Sequence, residues 1–236
     1  MQKIIEKIHI NSIPVLVWGA SSEKIIVAIH GNLSDKADEP ISILSEIAAL
    51  HGYQVLSFDL PEHGERKTEK TPCKVQNCVE ELKTVMNYAR EKWQIVSLFG
   101  VSMGAYFSLL AYREMPIEHA WFLSPVVDME QIIQNLMKAS SVLEEQLERE
   151  QTIQMPFGQT LYWDYLVYVR NNRIEKWDIP TDILFGENDD VCDTNIIKDF
   201  SETFDCSLTT VSRAEHWFHT PEQLNALRSW LENKVQ

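Results

Sequence analysis

The chain holds only four cysteines, Cys73, Cys78, Cys192 and Cys206, and none of them stands in a Cys-x-x-Cys spacing. That absence argues against a structural zinc site and makes reduced structural thiols the expectation, with a cytoplasmic location following from it. No uninterrupted apolar run approaches the roughly 18 residues of a membrane span. The first stretch, MQKIIEKIHINSIPVLVWG, carries charges through its apolar residues and lacks the apolar middle of a secretion signal, so no such signal is expected. Basic residues are in deficit, 21 Lys and Arg against 35 Asp and Glu, which leaves a net charge of −14. Approach to nucleic acid or to an anionic membrane would be repulsive, so neither is expected as a partner. Internal repeats, low-complexity tracts and Gly/Ser linkers are also missing. The 236 residues are enough for one large domain with a continuous core. No metal-ligand constellation and no phosphate-cradling glycine loop is visible, so no metal and no cofactor is implied.

What is present is an alternation of short β-branched runs with helical patterns. Two strands, Ile4–Ile10 and Val15–Trp18, turn at Asn11-Ser12. Lys24–Gly31 reads as a strand buried on both faces, and Tyr53–Leu60 as the next. Pro40 opens a helix with Ile41, Leu44, Ile47 and Ala48 on one side. Val75, Cys78, Val79, Leu82, Val85, Met86 and Ala89 keep helical spacing without a miss. Further strands are expected in WQIVSLFG, HAWFLSP, TDILFGE and CSLTTVS. A final helix is expected behind the Thr220-Pro221-Glu222-Gln223 capping box. This order predicts an α/β fold, a mostly parallel sheet with helices on both faces. Between Val126 and Ile179 the alternation breaks. MEQIIQNLMKASSVLEEQLERE reads as amphipathic helix, with Glu144, Glu145, Glu148 and Glu150 on a solvated face. The following part concentrates Phe157, Tyr162, Trp163, Tyr165 and Tyr168. The segment reads as a helical hairpin with a small apolar face of its own, or as a cap over a pocket at the carboxyl ends of the strands. On that basis residues 1–125 and 180–236 form the core, and 126–179 the insertion.

The stretch LFGVSMGAYF passes from strand to helix within ten residues, with Gly100 and Gly104 on either side of Ser102. A serine capping a helix needs neither glycine. A serine on a sharp, strained strand-to-helix turn needs both, because side chains two residues away would strike neighbouring backbone. A hydroxyl lifted above the sheet becomes a nucleophile only beside a base that a carboxylate orients. Partners of that kind follow later strands: Asp189 in LFGENDD and His216 in SRAEHWFHT. Asp190 and Asp128 compete for the acid role, and His219 for the base. Glu187 reads as surface charge at a strand end. His30 and His63 read as holding loop backbone. The amide of Met103, at the start of the helix after Ser102, points where an oxyanion would form.

With HGN, DLPEHGE, GVSMG, GENDDV and EHWF in this order, the chain resembles the α/β-hydrolase superfamily over essentially its whole length. The resemblance implies antiparallel first strands and a cap inserted after the strand that follows the nucleophile helix. It also implies a Ser102–Asp189–His216 triad, with Asn32 as the second oxyanion donor beside Met103. The sequence departs from the family loop at Glu62, where a glycine is usual; this places a negative group near the pocket rim. Acyl transfer to water is the chemistry implied, with a small-molecule ester as the best substrate. Thioester, amide and carbon–carbon bond cleavage, or ligand binding without catalysis, stand as alternatives. Trp163 and Tyr165 of the insertion and Trp217 beside the histidine suggest a mainly apolar acyl pocket. Oligomeric state is not legible in the sequence.

Overall fold

The protein, described here from a computed structural model, is defined over residues 5–156 and 158–236. Ile4, the expected start of the first strand, and Phe157 lie outside the described residues. Strands β1 (Ile5–Ile10) and β2 (Ile13–Trp18) form a hairpin. Its turn uses Asn11 at φ 54°, a left-handed conformation that asparagine tolerates better than most residues. The other sheet strands are β3 (Lys24–Ile29), β4 (Tyr53–Phe58), β5 (Ile95–Val101), β6 (Ala120–Leu123), β9 (Thr181–Gly186) and β10 (Ser207–Val211). They complete an eight-stranded sheet in the order β1-β2-β4-β3-β5-β6-β9-β10. β2 is antiparallel to β4, and every pairing from β4 to β10 is parallel.

Parallel strands joined by right-handed crossovers must have helices on both faces. Alternate residues of β3 divide accordingly. Ile25, Val27 and Ile29 pack with α2 (Val75–Lys92), α3 (Met103–Tyr112) and α7 (Thr194–Thr203). Ile26 and Ala28 pack with α1 (Glu39–Leu50) and α8 (Pro221–Lys234). The periodic positions of α2, from Val75 to Ala89, are all buried. The Thr220 capping box forms as expected, with Thr220 and Gln223 each bonding the other's backbone.

The segment between β6 and β9 differs from the helical hairpin in two respects. Its first half is two helices, α4 (Met129–Ala139) and α5 (Glu144–Glu150). They part at Ser141, which adopts φ 54°. A two-stranded hairpin, β7 (Thr152–Gln154) with β8 (Thr160–Tyr162), then precedes α6 (Trp163–Asn171). Nor does the segment hold an apolar face to itself. Ile133, Met137, Leu147, Leu161, Leu166 and Val169 join the same cluster as α2 and α3. Hydrophobic periodicity alone cannot tell a private core from a face shared with the sheet layer.

Helix α3 lies hard against β3. A Cβ at Gly104 would come 2.5 Å from the carbonyl oxygen of His30 and 2.6 Å from that of Ile29. Both are backbone atoms that cannot rotate away. Gly104→Ala should therefore lower the unfolding free energy by more than about 2 kcal/mol. Urea denaturation monitored by circular dichroism measures this, and a loss below about 0.5 kcal/mol would show that α3 can slide on the sheet.

Candidate active site

Ser102 stands between β5 and α3 with φ 52° and ψ −117°, a conformation that costs a residue with a side chain about 1–3 kcal/mol. The surroundings enforce it. Ser102 N–H donates to Leu123 O at 3.0 Å, and Ser102 O accepts from Val126 N–H at 3.1 Å and Ala105 N–H at 3.1 Å. A Cβ at Gly100 would meet Ala105 Cα at 2.8 Å. The two glycines of the sequence pattern thus answer to two different backbones, one to α3 itself and one to β3.

The His216 ring spans the gap between Ser102 and Asp189. Its Nε2 lies 2.8 Å from Ser102 Oγ, and its Nδ1 lies 2.7 Å from Asp189 Oδ2. The Asp189 side chain is fully buried and that of His216 nearly so. Oδ1 of Asp189 accepts the amides of Val191 at 2.9 Å and Cys192 at 2.8 Å, which fixes the carboxylate in the loop after β9. Gly186 lets that loop meet the one carrying His216: a Cβ there would lie 2.5 Å from Ala214 O. With Nδ1–H donating to the carboxylate, Nε2 presents its lone pair to the serine hydroxyl. Such a chain can take a proton from Ser102 and hold it on the ring.

The alternative residues stand apart from this chain of hydrogen bonds. Asp190 is exposed. Asp128 caps α4 by accepting Gln131 N–H at 3.0 Å. His219 donates through Nδ1 to Trp217 O at 2.6 Å. Glu187 accepts Ser212 Oγ–H at 2.7 Å and Arg213 N–H at 2.9 Å at the strand end.

Met103 opens α3, and the turn after β3 passes over Ser102. A Cβ on Gly31 would be 3.3 Å from Ser102 Cβ, and Asn32 follows at the surface. Both expected donors therefore stand on segments that meet at the serine. His63, read from the sequence as holding loop backbone, holds the Asn32 segment together with Asp59 and Glu62. His63 Nε2 accepts Leu33 N–H at 3.2 Å and lies 3.4 Å from the Asn32 side-chain amide. His63 Nδ1 donates to Pro61 O at 2.8 Å. The fully buried Asp59 carboxylate accepts Lys36 N–H and Glu65 N–H, each at 2.9 Å, and pairs with the Lys36 ammonium. Glu62, exposed and at φ 62°, takes a left-handed conformation of the kind that favours glycine. Its carboxylate accepts Cys73 N–H at 2.7 Å and so anchors the loop to the start of α2.

The aromatic candidates separate. Trp217 is 71% exposed and stacks on His219 at 4.5 Å, while the adjacent Phe218 is buried against α8. Trp163 and Tyr165, on α6, are partly buried against the α2–α3 core. Leu33, 91% exposed beside Asn32, is apolar surface that the sequence reading missed, and Val191 in the Asp189 loop is exposed as well. A cleft of about 290 Å³ opens between α4, α6 and α7, lined by Tyr106, Asp128 and Phe200; neither Ser102 nor His216 lines it. Asp189, Cys192 and His216 offer donor atoms within 4.8 Å of one another. Burial pushes the Cys192 thiol far up, and both carboxylate oxygens are spent on N–H donors, so the set suits proton transfer better than a cation. Among the described residues no helix is long and apolar enough to cross a membrane.

The sheet order, the crossovers and the serine turn define an α/β-hydrolase fold. Solved structures share it along nearly the whole chain. Est1E from Butyrivibrio proteoclasticus matches with a TM-score of 0.76 at 17% identity, over 97% of this chain and 96% of that one. The same protein with ferulic acid bound gives 0.74 at 19% identity over the same shares, 97% and 96%. A Pyrococcus furiosus esterase matches at 0.69 and 18% identity, covering 98% of this chain and 89% of that one. A thioesterase domain from the curacin biosynthetic pathway matches at 0.61 and 16% identity, covering 98% and 99%. No protein family and no curated protein matches the sequence itself.

His30 offers a test of how firmly the loops around Ser102 are packed. It is fully buried, donating Nδ1–H to Gly31 O at 2.7 Å and accepting Leu60 N–H at 3.1 Å, and burial lowers its pKa to about 4. Below the ordinary value near 6.5 the unfolded chain takes up this proton and the folded one does not, so His30 costs stability as pH falls toward 4. Asp38, pushed up to about 6 by burial, works in the opposite direction over the same range. The difference between wild type and His30→Gln isolates the histidine. Its advantage at pH 7 should shrink by up to about 3 kcal/mol by pH 4 in urea titrations. A pH-independent difference would place the ring in contact with water.

Proposed function

We propose that this protein is a serine hydrolase that cleaves carboxylic esters with small to medium, mainly apolar acyl groups. The observation that carries the reading is the unbroken chain from Ser102 Oγ through His216 to a buried Asp189, anchored on a turn built to expose the serine. Ser102 attacks the ester carbonyl as His216 Nε2 takes the hydroxyl proton. Asp189 holds the ring in the required tautomer and offsets its positive charge. The amides of Met103 and Asn32 receive the developing oxyanion. His216 returns its proton to the departing alkoxide, and water then releases the acid from Ser102 by the same steps in reverse order. Exposed Leu33, Val191 and Trp217, each within two residues of a site residue, support an apolar substrate face. The ferulic acid carried by Est1E and the ester chemistry in a neighbour's name are consistent with this choice. Thioester cleavage is the second reading, supported by the thioesterase domain of like fold.

Ser102→Ala should reduce hydrolysis of aryl esters by about 10⁴-fold or more without altering the circular dichroism spectrum. A fluorophosphonate should label wild type and not the variant. Asp189→Asn should cost about 10⁴ in kcat, and Asp190→Asn little. Near-wild-type turnover in Ser102→Ala would end the proposal. Thioesters in the same panel decide between the two readings.

Residues 126–179 are proposed to roof the acyl site, with the pair between Lys74 and Asp164 at 2.8 Å linking α6 to the start of α2. Trp163→Ala should then change the ratio of kcat/KM for long against short acyl esters by about ten-fold. An unchanged ratio in a folded, phosphonate-labelled variant would make Trp163 a packing residue.

A further inference from the structure

Cys73 and Cys78 carry no recognisable spacing, yet the start of α2 brings them together. Lys74 is the N-cap of that helix, so Cys73 is the residue before the cap and Cys78 the fourth helical residue. Side chains at these two places fold onto one another at helix starts. Here the two sulfurs lie 3.6 Å apart, both thiols free. The junction is crowded with polar groups. His63 adjoins the Cys73 thiol, Glu62 accepts the Cys73 amide, and Lys74 pairs with Asp164 of α6. Cys73 is half-buried and Cys78 buried.

We propose that Cys73 and Cys78 form a redox-active dithiol that a hydroperoxide converts into an intramolecular disulfide. The environments of the two thiols are opposed in the way this reaction needs. The hydrogen bond from Cys78 lowers the Cys73 pKa against burial, and His63 adds to the effect, while Glu62 opposes it. Burial, then the neighbouring Cys73, keep Cys78 protonated; Glu81 acts in the same direction and Arg66 against it. The Cys73 thiolate attacks the peroxide, the O–O bond breaks, and Cys73 becomes a sulfenic acid as the peroxide is reduced to an alcohol or to water. Cys78 sulfur then attacks the sulfenic sulfur. The S–O bond breaks, and hydroxide leaves with the Cys78 proton as water. The two sulfurs must approach by about 1.5 Å, within reach of side-chain rotation at a helix end. Neither of the other cysteines has such a setting. Burial pushes the Cys192 thiol far up and that of Cys206 to about 11.

The rival account is that the two sulfurs merely pack as an apolar staple at the helix start. Treatment of the intact protein with hydrogen peroxide separates the two, and the thiol count needs no substrate and does not depend on the proposed hydrolase activity. The expected result is a fall from four titratable thiols to two and loss of the mass of two hydrogens. A Cys73–Cys78 peptide should appear on mapping, reversed by dithiothreitol. Cys73→Ser should slow thiol loss by about ten-fold or more, and Cys78→Ser should leave a sulfenic acid on Cys73 that dimedone traps. Four intact thiols, oxidation that begins at Cys192 or Cys206, or sulfinic acid on Cys73 beside a free Cys78 in wild type would each overturn the proposal.

Discussion

The backbone turn at Ser102 is the constraint on which the site depends. A side-chain-bearing residue at φ 52° is held there by backbone hydrogen bonds to both its N–H and its C=O and by contacts that leave no room for a methyl at Gly100 or Gly104. Those bonds and contacts come from β3, β6, α3 and the segment after β6. Each element that fixes the turn also delivers something to it. The end of β3 leads to Asn32, α3 brings the Met103 amide, and the chain after β6 leads into α4. Strain at a single residue persists because the surrounding fold over-determines it.

A second layer keeps the loops in place without touching the serine. The Asp59 carboxylate, with no exposure to water, satisfies two amides and the Lys36 ammonium, while Arg66 donates to Asp59 O at 3.0 Å and pairs with Glu81. A buried charge persists only when its hydrogen bonds are complete, and loss of one partner typically costs about 3–5 kcal/mol. The network thereby binds the loop after β3 to the loop after β4. His63, standing between them, carries that rigidity to the Leu33 amide.

The segment between β6 and β9 is part of the core on one side and part of the surface on the other. Its apolar residues continue the α2–α3 layer, and Arg170 pairs with Glu130 at 2.7 Å and with Glu144 of α5, linking α6 to both earlier helices. Surface pairs that keep access to water each contribute little, about 0–1 kcal/mol. The shared apolar layer is therefore what holds the segment down.

Much of this was legible in the residues. Alternating β-branched runs and helical patterns are local signals, and they specified the parallel sheet, the helices on both faces and the serine turn. The motif order likewise singled out Asp189 and His216, because loops after parallel strands open at one sheet edge. Other features were not legible. That Asp128 caps α4 and that the His219 ring bonds the Trp217 carbonyl could not be read from the residues alone. The β7–β8 hairpin, the break at Ser141, the burial of Asp59 and the meeting of Cys73 with Cys78 were settled only by packing. The reason is physical. Periodicity records which face of an element is apolar, and glycine records where a backbone passes close. Which buried polar group finds which partner depends on distances between segments far apart in the chain, and only the assembled fold sets those.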